Sequence, residues 1–182
     1  MQQPLRPVPQ PVTLSPARTA VIVLDLSARC EDSVDPCSQL LPAVADFLRR
    51  ARAARVPILF TTSLMHKGTP LAEVARPLER QPEEPVIQPD GFDKFTGGVL
   101  QDFLSSQQAE NLIVVGSATN IAVMYTVTTA ARVYHYQVVI PLDGVNARND
   151  YEHEYALHQL STLPSPPAQP VQFTTFAMLE LA

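Results

Sequence analysis

The sequence lacks the features that would place a protein in a membrane or on a nucleic acid. No apolar run reaches the roughly 18 residues of a membrane span, and the N-terminus shows no basic segment followed by an apolar one. The formal net charge is -5, and the densest basic group is the set of arginines within residues 49–55. We therefore expect a cytoplasmic protein whose partner is neither a nucleic acid nor a membrane.

Cysteines and metal-ligand patterns are also scarce. Cys30 and Cys37 are the only cysteines; their separation permits a small loop disulfide but fits no zinc spacing, and we predict two free thiols. His153 and His158 are one residue too far apart for a His-Glu-x-x-His motif, which rotates them about 140° from each other on a helix. His66 has no partner ligands nearby in the sequence. We predict no metal and no cofactor.

The sequence does contain enough apolar material for one core. Its 182 residues are 46% hydrophobic and 17% charged, which is typical of a globular domain. Residues 1–18 include five prolines, and proline disfavours helices and central strands. We predict that residues 1–18 form an extended N-terminal arm and that residues 19–182 form a single domain.

Apolar runs alternate with helical periodicity along this domain. Strands are predicted at 19–26, 56–62, 86–88, 112–115, 137–141 and 171–173. Helices are predicted at 39–55, from 99 onwards, at 123–134 and at 150–162, with a last turn that Thr174 or Thr175 caps. This alternation predicts an α/β fold, a three-layer doubly wound sheet that is mostly parallel, with strand order 3-2-1-4-5-6.

The stretch 111–134 is the most informative. An apolar run ends at Gly116, Thr119 or Asn120 can cap a helix, and apolar residues then recur at helical spacing. Such a strand-turn-helix can hold an anion or a developing oxyanion on its backbone amides. An ordinary βα unit without chemistry is the alternative.

The residues from Gly116 to Val123 read Gly-Ser-Ala-Thr-Asn-Ile-Ala-Val. This stretch resembles the Gly-x-x-Thr-x-x-Cys-Val signature of the isochorismatase-like, or cysteine hydrolase, superfamily. The resemblance places Ala122 at the position of the nucleophilic cysteine, so thiol chemistry cannot occur there. The isochorismatase branch also lacks this cysteine and is understood to hydrolyse a vinyl ether with an aspartic acid. The resemblance further implies a cis peptide between Ser117 and Ala118.

Asp25 is the first candidate for chemistry, because it follows a buried strand at the edge where open α/β sheets bind ligands. A turn or helix-cap acid is the alternative. The resemblance implies that Asp25 is a general acid or base, and it places Ser27 where relatives usually have glutamine.

A second candidate is Lys94. The run Lys-Phe-Thr-Gly-Gly-x-Leu from residue 94 resembles the family segment that follows the catalytic lysine, although the usual lysine position falls at Gln88 or Pro89. Either Lys94 enters the site from a loop and couples to Asp25, or it is a surface lysine. The preceding loop, 63–85, is a candidate lid, on which His66 is a substrate contact or a surface residue.

The leading hypothesis is a hydrolase acting on a small, anionic molecule, an enol ether or amide-like compound, without a covalent cysteine intermediate. Asp25 is the expected general acid, Lys94 its electrostatic partner and water the nucleophile. The further substrate or oxyanion contacts predicted are Ala118, Ala122, Thr119, Ser27, His66 and Gln88. The alternative is an inactive binding or scaffold protein. The resemblance also implies a homo-oligomer, a dimer or a tetramer.

Overall fold

The computed structural model describes residues 6–164 and 170–182, and residues 1–5 of the predicted arm lie outside this range. The strands are Val12–Leu14 (β1), Thr19–Leu24 (β2), Ile58–Thr61 (β3), Val86–Ile87 (β4), Asn111–Ser117 (β5), Gln137–Pro141 (β6), Val145–Asn146 (β7), Val171–Thr174 (β8) and Leu179–Leu181 (β9). The α-helices are Leu41–Ala53 (α1), Val99–Ser106 (α2), Met124–Arg132 (α3) and Asp150–Ser161 (α4).

The main sheet confirms the predicted topology. Its strand order is β4-β3-β2-β5-β6-β8, with β7 added beside β5, and these strands pair in parallel. The six predicted strands correspond to β2, β3, β4, β5, β6 and β8, so the order is 3-2-1-4-5-6 as expected. Because β2 and β5 are neighbours, the residues that follow them meet at one edge of the sheet.

Two apolar clusters cover the two faces of this sheet. The first packs α1 against one face through Val44, Phe47 and Leu48. The second packs α2, α3 and α4 against the other face, with side chains such as Leu104 and Val127 in its interior. The central strands β2 and β5 are buried on both faces, which explains their nearly continuous apolar sequence.

The strand-turn-helix stretch differs in detail from the prediction. The strand β5 runs through Gly116 to Ser117, and a π-helical segment, Thr119–Val123, precedes α3. The N-cap position is Ala118, which makes no side-chain capping bond, so the expected cap by Thr119 or Asn120 is wrong. Gly116 has φ 135°, and a side-chain carbon there would lie 2.0 Å from the carbonyl oxygen of Leu24. Only glycine fits this close approach to β2.

Both ends of the chain contain strands that the sequence analysis did not predict. The β1 strand, within the proline-rich arm, pairs in parallel with β9. The predicted last turn is instead a short 3-10 helix, Phe176–Met178, followed by β9, and Thr175 makes no capping bond. The arm is therefore anchored on the C-terminus of its own chain.

The prediction of two free thiols is wrong, because Cys30 and Cys37 form a disulfide bond. Each cysteine lies in a short 3-10 helix, Ala28–Glu31 and Pro36–Leu40. These helices fold back on each other, which brings the two Cα atoms to 5.2 Å and buries both side chains. Spacing alone could not show this reversal of the chain.

Candidate active site

Asp25 is the first residue after β2, at the carboxyl edge of the sheet. Its φ angle is 55°, in the left-handed region that residues other than glycine rarely adopt. Its backbone N–H donates to the carbonyl oxygen of Thr61 at the end of β3, 3.2 Å away. Such uncommon backbone conformations concentrate at functional sites, so Asp25 is a candidate on structural grounds as well.

Lys94 contacts Asp25 and is not a surface lysine. Its side chain is 1% exposed, and Nζ lies 2.9 Å from Oδ2 of Asp25. The turn that carries it is fixed on α3, because the Lys94 N–H donates to Oγ1 of Thr126 at 3.1 Å and the Thr129 hydroxyl donates to Asp93 at 2.6 Å. The pair therefore joins a strand end to a loop that α3 holds in place.

Thr61 completes the surroundings of the Asp25 carboxylate and was missed in the sequence analysis. Its hydroxyl donates to Oδ1 of Asp25 at 2.7 Å, while Lys94 contacts the other oxygen. Both carboxylate oxygens thus have a partner, which fixes the orientation of the group. The signal in the sequence was a polar residue at the end of an apolar run, the same signal that identified Asp25.

A cavity of about 770 Å³ opens beside this pair. Four of the predicted site residues line it: Asp25, His66, Ala118 and Ala122. Its outer part carries apolar side chains, which are Met65, Leu71, Phe92 and Ile121. The peptide bond between Ser117 and Ala118, at the inner end, is cis, as the resemblance implied. The predicted crevice between the end of β2 and the turn after β5 is therefore present.

Three predicted contact residues do not line the cavity. Ser27 is fully buried and pairs through its backbone with Val74. The side-chain amide of Gln88 donates to the carbonyl oxygen of Ser63 at 3.1 Å. The hydroxyl of Thr119 lies 2.9 Å from Nδ1 of His153 on α4. The side chains of Gln88 and Thr119 thus contact structural neighbours, whereas the buried hydroxyl of Ser27 has no hydrogen-bond partner in the described residues. Lys94, not Gln88, accompanies Asp25.

The wall opposite the turn comes from the segment that the disulfide closes. Arg29 and Asp35 line the cavity and form an ion pair with each other, and Ala28, Asp32 and Pro36 lie beside them. No motif in the sequence pointed to these residues, because their position depends on the chain reversal that the disulfide fixes. The cavity is thus formed by five separate segments of the chain.

The charges of the wall are balanced only in part. Asp25 and Asp35 are paired with Lys94 and Arg29, whereas Asp32, Arg148 and Glu152 have no ion-pair partner within residues 6–164 and 170–182.

Burial lowers the pKa of His153, whose ring contacts the turn through Thr119.

In the part of the chain that the structure describes, no group of three or more His, Cys, Asp or Glu side chains could hold a metal ion. No helix there is long and apolar enough to cross a membrane.

Comparisons with known proteins agree with this architecture. The chain resembles the crystal structure of a cysteine hydrolase from Pseudomonas syringae pv. phaseolicola 1448A, with TM-score 0.76, 19% identity and coverage of 97% of this chain and 95% of that one. An isochorismatase family protein from Burkholderia thailandensis gives TM-score 0.75, 23% identity and coverage of 93% and 96%. The nicotinamidase from Staphylococcus aureus gives TM-score 0.72, 21% identity and coverage of 86% and 97%.

These similarities establish a shared fold. A search of curated proteins finds no significant match. The isochorismatase domain matches residues 19–169, which include Asp25, Lys94 and the turn after β5. The chain therefore belongs to the isochorismatase domain family.

Proposed function

We propose that this protein is an isochorismatase-like hydrolase that acts on a small enol ether or amide-like molecule without a covalent cysteine intermediate. The observation that carries the proposal is that Asp25, which lines a cavity large enough for a small molecule, is paired with the buried Lys94. A buried, paired carboxylate at the carboxyl edge of a parallel sheet is suited to proton transfer to a bound ligand.

Asp25 is the proposed general acid, and its surroundings define where its proton originates. As a carboxylate paired with the Lys94 ammonium, it must first take a proton from the attacking water and then give that proton to the leaving group. Water adds its oxygen to the substrate, the bond to the leaving group breaks, and Asp25 returns to its starting state. Lys94 stabilises the carboxylate before Asp25 takes the proton and again after Asp25 releases it, and over the whole cycle the protein neither gains nor loses a proton.

Ala122 is the proposed equivalent of the nucleophilic cysteine of relatives. It is buried at 2% exposure and lines the cavity at the turn that follows β5. Alanine carries no nucleophilic atom, so the substrate is attacked by water and not by this residue. The backbone amides of Ala118 and Ala122 are the proposed donors to the negative charge that develops on the substrate.

The second candidate function is a catalytically inactive protein that binds a small molecule in the same cavity. It is favoured by the positions of Ser27 and Gln88, where the family resemblance implies a glutamine and a catalytic lysine, and which here lie outside the cavity lining. Both candidates use the same cavity, and they differ only in whether the Asp25–Lys94 pair transfers a proton.

Hydrolysis by the wild type and Asp25→Asn separates the two functions. The proteins are incubated with a panel of primary amides, carbamoyl compounds and vinyl ethers, including isochorismate, and product formation is followed by chromatography. We expect at least one compound to be hydrolysed by the wild type and by Asp46→Asn, an exposed control on α1, and not by Asp25→Asn. Wild-type inactivity on the whole panel would favour the binding protein.

A second variant tests the alignment of the turn. Ala122→Cys places a thiol at the inner end of the cavity, beside Asp25. Gain of amidase activity in this variant, with loss of that activity after alkylation by iodoacetamide, would support the equivalence of Ala122 with the family cysteine. A thiol at position 122 that iodoacetamide cannot reach would contradict it.

A further inference from the structure

We propose that Ser117 is a further catalytic residue, whose hydroxyl holds the attacking water beside Asp25. Ser117 lines the cavity, and the mechanism above leaves the water without a group that orients it. This inference rests on the proposed function, because it assigns the position of the water within that reaction.

The position of Ser117 follows from the pairing of β2 with β5. Leu24 and Gly116 are aligned in the parallel ladder, so the next residues, Asp25 and Ser117, occupy neighbouring positions at the carboxyl ends of the two strands. Adjacent strands lie about 4.8 Å apart. Gly116 permits the close approach at this point, because any larger residue would collide with Leu24. In the proposed arrangement, a water molecule lies between these two positions and contacts both side chains.

The hydroxyl of Ser117 makes no hydrogen bond within residues 6–164 and 170–182, although the residue is only 6% exposed. The enclosed side-chain atoms without a partner there are Ser27 Oγ, Asn120 Oδ1, Asn146 Oδ1 and His158 Nδ1. Ser117 Oγ is not among these enclosed atoms, and Ser117 is a lining residue of the cavity. It differs in this respect from Ser27, whose hydroxyl is sealed inside the protein.

An almost buried hydroxyl without a protein partner lowers the stability of the folded protein unless water or a ligand completes its hydrogen bonds. We therefore expect alanine at position 117 to leave the stability of the fold nearly unchanged. Side chains that serve binding or catalysis often remain without a partner in the protein, because they bind a water molecule or a ligand instead.

The chemistry of the neighbouring carboxylate explains the need for a second group. Oδ1 of Asp25 accepts from Thr61 and Oδ2 contacts Lys94, so each oxygen keeps a lone pair that can accept from water, but one contact with Asp25 does not fix the direction of the second O–H of that water. A serine hydroxyl accepts up to two hydrogen bonds and donates one. In the proposed arrangement one O–H of the water donates to Ser117, and the other O–H donates its proton to Asp25 as the oxygen attacks. Ser117 itself neither gains nor loses a proton.

Ser117→Ala tests this role through steady-state kinetics and thermal unfolding, on the panel compound that the wild type hydrolyses fastest. Ser105→Ala removes an exposed hydroxyl on α2 and is the control. We expect kcat of Ser117→Ala to fall at least about tenfold with KM within about twofold, and its melting temperature to lie no more than about 2 °C below the wild type.

Three outcomes overturn the proposal, and they are distinguishable. An active wild type with an equally active Ser117→Ala removes Ser117 from the mechanism and leaves the proposed function intact. A fall in the melting temperature well beyond 2 °C identifies Ser117 as a structural residue. A wild type that hydrolyses no compound of the panel removes both the proposed function and this inference.

Discussion

Two ion pairs of the molecule each contain a buried carboxylate, and their surroundings differ. Arg52 of α1 binds Glu84 in a bidentate manner, with Nε 2.7 Å from Oε1 and Nη2 3.0 Å from Oε2. The N–H of Gln81 donates to Glu84 at 2.8 Å, and Arg52 also donates to the carbonyl oxygen of Leu78 at 3.1 Å. Both side chains of this pair have several hydrogen-bond partners, so we call the pair saturated. It joins the segment before β4 to α1, which is a structural role.

The Asp25–Lys94 pair is less completely bonded. The Lys94 ammonium contacts only Asp25 within residues 6–164 and 170–182, and the carboxylate has one further side-chain partner, Thr61. Asp25 also borders an open cavity. The difference teaches that burial alone does not identify a functional ion pair. Incomplete hydrogen bonding next to an accessible volume is the more informative signal.

The largest expected change in stability is at the saturated pair. Glu84→Gln leaves the Arg52 charge without its partner, and we expect the free energy of unfolding to fall by about 2–3 kcal/mol. Hydrolysis per folded molecule should be unchanged, because Glu84 is remote from the cavity. Glu83→Gln, at an exposed neighbouring position, is the matched control in denaturant unfolding. A Glu84→Gln variant that is as stable as the wild type but does not hydrolyse the substrate would contradict the structural role of this pair.

The second prediction concerns the cavity wall. Replacement of Cys30 and Cys37 together by alanine removes the constraint that the disulfide places on the unfolded chain, and we expect a loss of about 2 kcal/mol. Urea unfolding with and without a phosphine reductant measures it, and the reduced wild type should approach the double variant. Two reactive thiols in the denatured wild type, without reductant, would show that the disulfide is absent.

The third prediction sharpens the role of Thr61. Thr61→Val keeps the shape of the side chain but removes the hydroxyl that donates to Asp25, and we expect a loss of about 1 kcal/mol in unfolding. Hydrolysis should also slow, because Asp25 loses its orientation. Thr62→Val, also buried but without a side-chain hydrogen bond in the described residues, is the control. Equal effects of the two variants would contradict a specific role for Thr61.

The smallest effect is a pH dependence at His153. Burial lowers the pKa of His153 below its ordinary value of 6.5, so the unfolded chain takes up a proton first as the pH falls. The stability that neutral His153 contributes is complete above about pH 6.5 and is lost as the pH falls through the lower pKa of the folded state. The groups that act on it are Thr119, Glu154, Asp150 and Arg6.

Unfolding at pH 7.5 and at pH 5.5 measures this dependence. His153→Asn should reduce the loss of stability on acidification. The matched control, His135→Asn, replaces an exposed histidine whose φ of 61° asparagine tolerates, and it should leave the loss unchanged. If both variants behave like the wild type, His153 does not titrate as proposed.

The sequence was sufficient to predict the order of the main strands and the meeting of Asp25 with the turn after β5. Both follow from local periodicity and from the handedness of βα crossovers, which are encoded over short stretches. The resemblance added the cis peptide and a candidate lysine. It could not decide whether Lys94 was buried, because that depends on Thr126 and Thr129 of α3, some thirty residues away.

The features that sequence reasoning missed depend on contacts between distant segments. The pairing of β1 with β9 joins the two ends of the chain, and no local pattern reveals it. The Cys30–Cys37 disulfide depends on a chain reversal between two short helices. Ser117 is a candidate only because it lines the cavity while its hydroxyl makes no hydrogen bond within residues 6–164 and 170–182, and neither property is encoded in the signature stretch itself.

The double variant Asp25→Asn/Lys94→Met tests the central claim most directly, with unfolding and hydrolysis measured on the same preparation. Because both buried charges are removed together, we predict that the free energy of unfolding stays within about 1 kcal/mol of the wild type. We also predict that hydrolysis of every panel compound is abolished. A folded double variant that still hydrolyses the wild-type substrate would contradict the assignment of this pair as the catalytic centre.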